Sequence, residues 1–281
     1  MLARAMAAKT PRLYYLPASH PCDAVRAALE LKGIAYKRVD LLPLSQLVLG
    51  PLLYGGMTVP GMRIDSERLV GSRAIMRRLD ELAPEPPLLP QPGAPSYARV
   101  LEAERWGDEV FQDVPRKIID AALLRAPGAM ESYGAEAKLL LPVALMRPAL
   151  PLVARLMALR NRATDERARA DLAGLPRQLD RIDEWISEGL LGGERPNAAD
   201  LQIGSAIRLL MSILDVRARA ARGRARARGS ARSAGSATAR GAASCARGAA
   251  RGRRAAGRRC RSDGARGGAP ARRDRARARS A

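Results

Sequence analysis

Over residues 12–82 the apolar positions change period every ten residues or so, and beyond residue 96 they settle into one three-to-four-residue repeat. Arg12 to Leu16 predicts a strand, with Tyr14 and Tyr15 favouring extended backbone. Pro21 suits a first helical turn, where its missing N–H costs nothing. Val25, Ala28 and Leu29 continue the helical stripe, and Gly33 supplies a stop. Ile34 to Leu41 predicts a second strand. Residues 43–56 are Leu-rich but irregular, Met57 to Asp65 predicts a turn-linked strand pair, and Gly71 to Leu82 predicts a helix. The order β-α-β, connector, β-β-α is that of a compact α/β unit.

A Pro-rich linker over residues 84–95 follows this unit, which spans residues 11–83. Val100, Ala103, Gly107, Val110 or Phe111, Val114 and Ile118 then recur at helical spacing, as do Leu172, Leu175, Leu179, Ile182 and Ile186. Asn197 to Asp200, before Leu201-Gln202-Ile203, has the form of a capping box, Asn accepting from early N–H groups and Asp reaching back. Residues 96–216 therefore predict an all-helical domain, one that stops a helix or two early. Ahead of both units, residues 1–10 are expected to be a flexible extension.

Charge divides the chain at the same place as the apolar pattern. Of the net +21, residues 217–281 supply 21 arginines against only Asp263 and Asp274, so the preceding body is nearly neutral. No Val, Ile, Leu, Met or aromatic residue follows Val216. Such a segment cannot bury enough apolar surface to offset its chain entropy, so a disordered tail is expected. Its arginines could bind polyanions without sequence preference, but it has no aromatic residue to stack on bases. Its Ala, Arg and Gly composition also fits a GC-rich coding segment read out of frame. Three cysteines, two of them in the tail, make no disulfide framework and suit a cytoplasmic protein. The most lipid-like stretch, residues 139–157, is interrupted by Pro142, Arg147, Pro148, Pro151 and Arg155, so no membrane span is expected.

Candidate chemistry lies at three points in the α/β unit. Ser19-His20-Pro21-Cys22 places Ser19 at a helix N-terminus, where unsatisfied N–H groups and the dipole favour an anion such as a thiolate. A hydroxyl there can donate to that thiolate, though a plain helix cap would use the same residue. Thr58-Val59-Pro60 would, with a cis proline, turn the Val59 backbone outward toward an extended peptide. Gly71-Ser72 opens a helix and suits a carboxylate, again with capping as the ordinary alternative. Cys22 is a second nucleophile candidate, or a small side chain facing the core. His20, the one histidine, is expected at a surface or interface, and alone makes no metal site. Tyr14 and Tyr15 face opposite ways on a strand, so core packing is expected of both.

Residues 12–215 resemble a cytosolic-type glutathione S-transferase. The resemblance is carried by Leu13-Tyr14-Tyr15, Ser19-His20-Pro21-Cys22, Val25 to Leu29 with Lys32-Gly33-Ile34, Thr58-Val59-Pro60, Gly71 to Ile75, and Asn197 to Ile203. It implies an α/β thioredoxin-like N-terminal domain followed by an all-α domain, and a homodimer. It further implies that Val59 and Pro60 bind the glutathione backbone and that Ser72, with Gly71, holds the γ-glutamyl carboxylate. Gly71 departs from the Glu or Gln common there. Glutaredoxin-like relatives carry two cysteines at the first helix; here Ser19 stands at the first, nucleophilic position and Cys22 at the second. A serine cannot form a mixed disulfide, so the resemblance implies conjugation of glutathione to a small electrophile, with glutathione as co-substrate and no metal or redox cofactor. A Cys22-dependent thiol reductase and a non-catalytic binding protein are the alternatives. Tyr97, Trp106 and Phe111 are the expected lining of the second-substrate pocket, against the first helix after the linker.

Overall fold

The computed structural model describes residues 10–134, 137–138 and 143–213, and the expectations for residues 1–9 and 217–281 lie outside them. The N-terminal unit is a four-stranded sheet in the order β2-β1-β3-β4. Strand β1 (Arg12–Tyr15) pairs in parallel with β2 (Lys37–Asp40) and antiparallel with β3 (Gly61–Ile64), which pairs antiparallel with β4 (Glu67–Val70). Alternation along β1 sends Leu13 and Tyr15 into one core and Tyr14 into another. The first core is closed by Val25, Ala28 and Leu29 of helix α1 (His20–Leu31) and Ile75, Met76 and Leu79 of α3 (Ser72–Leu82). Across the sheet, Tyr14 meets Tyr54 with ring centroids 5.1 Å apart.

Two elements differ from the sequence expectation. The supposedly irregular 43–56 segment contains helix α2 (Gln46–Leu53). Val48 and Leu52 of that helix are exposed and Pro51 lies within it, so neither a buried stripe nor helix-favouring composition marks it. The strand pair sits further along than Met57–Asp65. Asp65, at φ +53°, makes the turn between β3 and β4, a left-handed position that Asp tolerates. Residues 57–60 instead form the approach to a cis Val59–Pro60 bond.

The linker is fastened at several points. Asp80 accepts from the backbone N–H groups of Leu88 and Leu89 at 2.9 and 3.1 Å, and Leu88 is fully buried. The Lys32 ammonium, whose side chain is wholly buried, donates to the Ala83 and Pro86 carbonyls and pairs with Asp80 at 2.7 Å. Those three oxygens match its three donors.

Helix α4 (Tyr97–Trp106) runs through a π-helical turn (Gly107–Phe111) into α5 (Asp113–Arg125). The extra residue of that turn shifts the phase, so Phe111 is buried and Val110 exposed. Gly107 is required by packing: a Cβ there would lie 2.8 Å from Ile203. Next come α6 (Met130–Gly134), a 3-10 segment (Val143–Ala149), α7 (Leu150–Arg160), α8 (Asp165–Ser187) and α9 (Ala198–Met211). On α8 the expected stripe holds through Ile182, but its end is corrected: Trp185 is buried and Ile186 is half exposed. Helix α9 carries the complete Asn197–Asp200 capping box and packs against α1, α4 and α5, joining the two domains. An ion pair on a buried carboxylate joins them as well. The Arg77 guanidinium on α3 donates through two nitrogens to both carboxylate oxygens of fully buried Glu104 on α4, at 2.8 and 2.5 Å.

Candidate functional site

The turn from β1 into α1 is tight: the Ser19 N–H donates to the Leu16 carbonyl at 3.0 Å, and Ala18 adopts φ +62°. Ser19 occupies the N-cap position, and its carbonyl accepts from the Asp23 N–H at 3.0 Å. Its side chain makes no capping hydrogen bond. Pro21 in the first turn removes one further donor, leaving few N–H groups that a cap could serve. The Ser19 hydroxyl therefore serves no backbone N–H of the helix, and its side-chain neighbour there is the Cys22 thiol.

Cys22, three residues on, is wholly buried in the first core. Burial pushes its thiol up to about 12, an effect that the adjacent Ser19 side chain only partly offsets. It stays protonated at neutral pH and out of reach of an incoming disulfide. Tyr15 and Tyr14 are likewise core residues, and the Tyr15 hydroxyl donates to Asp23.

Opposite this turn stands the cis Val59–Pro60 bond. Val59 packs against both sheet cores, yet among the described residues its backbone N–H and C=O take no protein partner. The Pro60 carbonyl accepts from the Gly71 N–H at 2.9 Å, which ties the start of α3 to the cis proline. Gly71 is the N-cap of α3 at φ +89°, a conformation glycine takes without strain. A Glu or Gln at this position would have to adopt that left-handed backbone. Ser72, just inside the helix, is 3% exposed, and its Oγ is buried without a partner. As with Ser19, its hydroxyl does not cap.

A cavity of about 260 Å³ lies between the two domains. Ser19, His20, Thr58 and Val59 border it on the N-terminal side, and residues of α5 and α7 on the other. Pro60, Gly71 and Ser72 are not part of its lining, so the expected glutathione residues divide into two groups, with Val59 at the cavity and Ser72 behind it.

The expected second-substrate residues are corrected. Trp106 and Phe111 stack at 5.1 Å within the helical core, where Trp106 also meets Trp185 edge-on at 5.2 Å. Tyr97 opens α4 outside the cavity lining. The reason is packing: Trp106 and Phe111 are taken up by the core that α4 shares with α8 and α9, while side chains of α5 reach the cavity. Ile119, Leu123, Arg116 and Asp120 on α5, with Met157 and Arg160 on α7, take the place of those aromatics. Ile119 and Leu123 form a second apolar row beside the core positions Ile118 and Val114. That double row is present in the sequence and is the signal that could have found the cavity wall.

His20 is corrected as well: it is buried, 2% exposed, and its Nε2 has no partner. Burial first, and the Arg116 guanidinium second, hold its imidazole down to about 3, so it is neutral at physiological pH. Asp120 shifts the other way: burial raises its carboxyl, partly offset by the Asn161 amide donating at 2.6 Å and by Arg116. Among the described residues no cluster of His, Cys, Asp and Glu is arranged to hold a metal ion, and no helix is long and apolar enough to cross a membrane.

Comparison with known proteins agrees with the fold. Residues 13–87 match the family described as glutathione S-transferase, N-terminal domain. A search of curated proteins by sequence found no match. Among solved structures, a glutathione S-transferase from Rhodospirillum rubrum is similar at 22% identity and TM-score 0.50, over 72% of this chain and 78% of that one. FzlA from C. crescentus is similar at 18% identity and TM-score 0.50, over the same shares. A glutathione transferase from Methylococcus capsulatus has 17% identity and TM-score 0.49, over 72% of this chain and 83% of that one. At these identities the first two establish a common fold, a thioredoxin-like domain followed by a helical one.

Proposed function

We propose that this chain, whose residues 13–87 belong to the glutathione S-transferase N-terminal domain family, conjugates glutathione to a small electrophile, with Ser19 as the residue that stabilises the thiolate. The observation that carries this is the Ser19 hydroxyl, which makes no capping hydrogen bond, at a helix N-terminus and bordering the interdomain cavity. A free thiol ionises near pH 8.5 and is mostly protonated at neutral pH; a hydroxyl donor and the positive end of a helix both favour its anion. The sulfur then attacks the electrophilic carbon, forming a C–S bond as the leaving group departs with its electron pair. Alignment of the two reactants in one cavity supplies much of the acceleration, and the step requires no electron carrier.

Glutathione itself is held, on this reading, at two further points. The free N–H and C=O of Val59 are positioned for the cysteinyl backbone, in the manner of one more strand. Ser72 and the first N–H groups of α3 receive the γ-glutamyl carboxylate, which accounts for a buried Oγ without a partner. The thiol-reductase alternative is disfavoured because Cys22 is buried and protonated. Pairing into homodimers belongs to the same proposal.

The test is conjugation of glutathione by the full chain to two electrophiles, the aromatic 1-chloro-2,4-dinitrobenzene and the aliphatic 6-bromohexanoate. A hydrogen bond to a charged group is worth about 1.5–3 kcal/mol, roughly a factor of 10 to 100. Ser72→Ala is therefore expected to raise the KM for glutathione at least about 10-fold, with kcat little changed. An unchanged KM would remove Ser72 from the binding site, and absence of any conjugation by the unmodified chain would overturn the transferase reading.

A further inference from the structure

The lining of the interdomain cavity also bears on which electrophile it takes. Its walls are aliphatic and thioether side chains, among them Leu41, Leu44, Ile119, Leu123, Leu150 and Met157. Among the described lining residues Tyr133 is the one aromatic side chain besides the His20 imidazole, and its hydroxyl is engaged with Ser212 at 3.1 Å. Such walls fit a flexible hydrocarbon better than a flat ring, which gains most from stacking. The volume, about 260 Å³, suits a short chain.

Charge enters this apolar space through three residues. Arg116 and Asp120 lie four apart on α5 and offset one another, and Asp120 is further engaged by Asn161. Arg116 is in addition held by Asp113 and Gln112, each at 2.9 Å. Arg160, in the last turn of α7, is different. It lines the cavity while remaining exposed, and so stands at its rim, and among the described residues it has no ion pair or hydrogen bond. The neutral His20 adds no charge. One uncompensated cation thus stands at the rim of an aliphatic chamber.

Resting on the transferase reading for the identity of the site, we propose that the second substrate is an aliphatic electrophile carrying a carboxylate, with the hydrocarbon in the cavity and the carboxylate on Arg160. Selectivity against uncharged analogues of equal length follows, and it weakens as salt screens the exposed guanidinium.

Calorimetric binding of octanoate and of octanamide to the full chain separates this from the transfer chemistry, because neither ligand reacts. At low ionic strength octanoate is expected to bind about five-fold tighter, the range of a partly exposed ion pair. Arg160→Ala should lower octanoate to the affinity of octanamide, whereas Arg160→Lys should keep most of the preference. Arg160 is exposed, so neither variant disturbs the core. Equal binding of the two ligands, binding of neither, or a preference that survives in Arg160→Ala overturns the proposal; the last would assign the preference to other cations of the chain. Failure of the conjugation assay alongside a positive result here would sink the transferase reading and leave the carboxylate site standing.

Discussion

Ser19→Ala is expected to lower kcat/KM for glutathione conjugation by about 100-fold at pH 7, while Cys22→Ala lowers it less than about 3-fold. The magnitude is that of removing one preorganised donor from a developing or resting anion, about 2.7–4 kcal/mol at the upper end, reduced here because the helix N-terminus remains. Structure separates the two residues sharply. The Ser19 side chain borders the cavity and caps nothing. Cys22 sits inside the core with its thiol held near 12, where deleting the sulfur costs packing and leaves the reaction intact. The opposite outcome, loss only in the cysteine variant, would return the protein to disulfide chemistry. Measuring stability alongside activity separates the two effects, since Cys22→Ala is expected to be the less stable variant.

The second large effect concerns pH and the chain's one histidine. An unfolded histidine ionises near 6.5, whereas the folded state holds His20 down to about 3. Below pH 6.5 the unfolded chain therefore binds a proton that the native protein refuses. The stability contributed by neutral His20 is fully present above pH 6.5 and is lost progressively as pH falls toward 3. The loss approaches about 1.4 kcal/mol per pH unit, so that near pH 5 roughly 2 kcal/mol has gone. Asp120 acts in the opposite sense. Its raised carboxyl favours the native state in acid and loses that contribution as pH rises through its folded value. Urea unfolding at pH 7.0, 6.0 and 5.0 should show declining stability in the unmodified chain and a nearly flat profile in His20→Leu. Parallel profiles would mean that His20 is solvated and charged in the native state.

Much of the fold was legible because its signals are local. The stripe Val25, Ala28, Leu29 with Gly33 behind it marks α1, and Asn197 and Asp200 declare the start of α9 through groups three residues apart. Alternation at Tyr14 and Tyr15 likewise gives the two-faced sheet. What was illegible depends on neighbours distant in sequence. Helix α2 has no clear stripe because Val48, Leu49 and Leu52 face outward, and its glycine at 50 lies against Tyr54 and the Gly56 carbonyl. The burial of Trp185 in place of Ile186 goes with its edge-on contact to Trp106, which no period along α8 contains.

At the site the division is similar. Ser19, Val59, Pro60, Gly71 and Ser72 could be named because each stands at a turn or helix start with its own chemical signature. That the two serines cap nothing could not, since capping is the common use of serine at such positions. The cavity wall was misplaced onto α4 because aromatic residues are the usual mark of a pocket, and here packing between α4, α8 and α9 consumes them. The burial of His20 was hidden for the same reason: it depends on the helical domain, whose Arg116 lines the same cavity and acts on the ring.

The central claim is that Ser19 makes bound glutathione a thiolate at neutral pH. Ultraviolet difference titration of the thiolate in the protein–glutathione complex measures this without any electrophile. The account predicts an apparent ionisation at least about one pH unit below that of free glutathione in the unmodified chain, returning most of the way in Ser19→Ala. A bound thiol that ionises at its solution value, or a lowered value unaltered by Ser19→Ala, would contradict it.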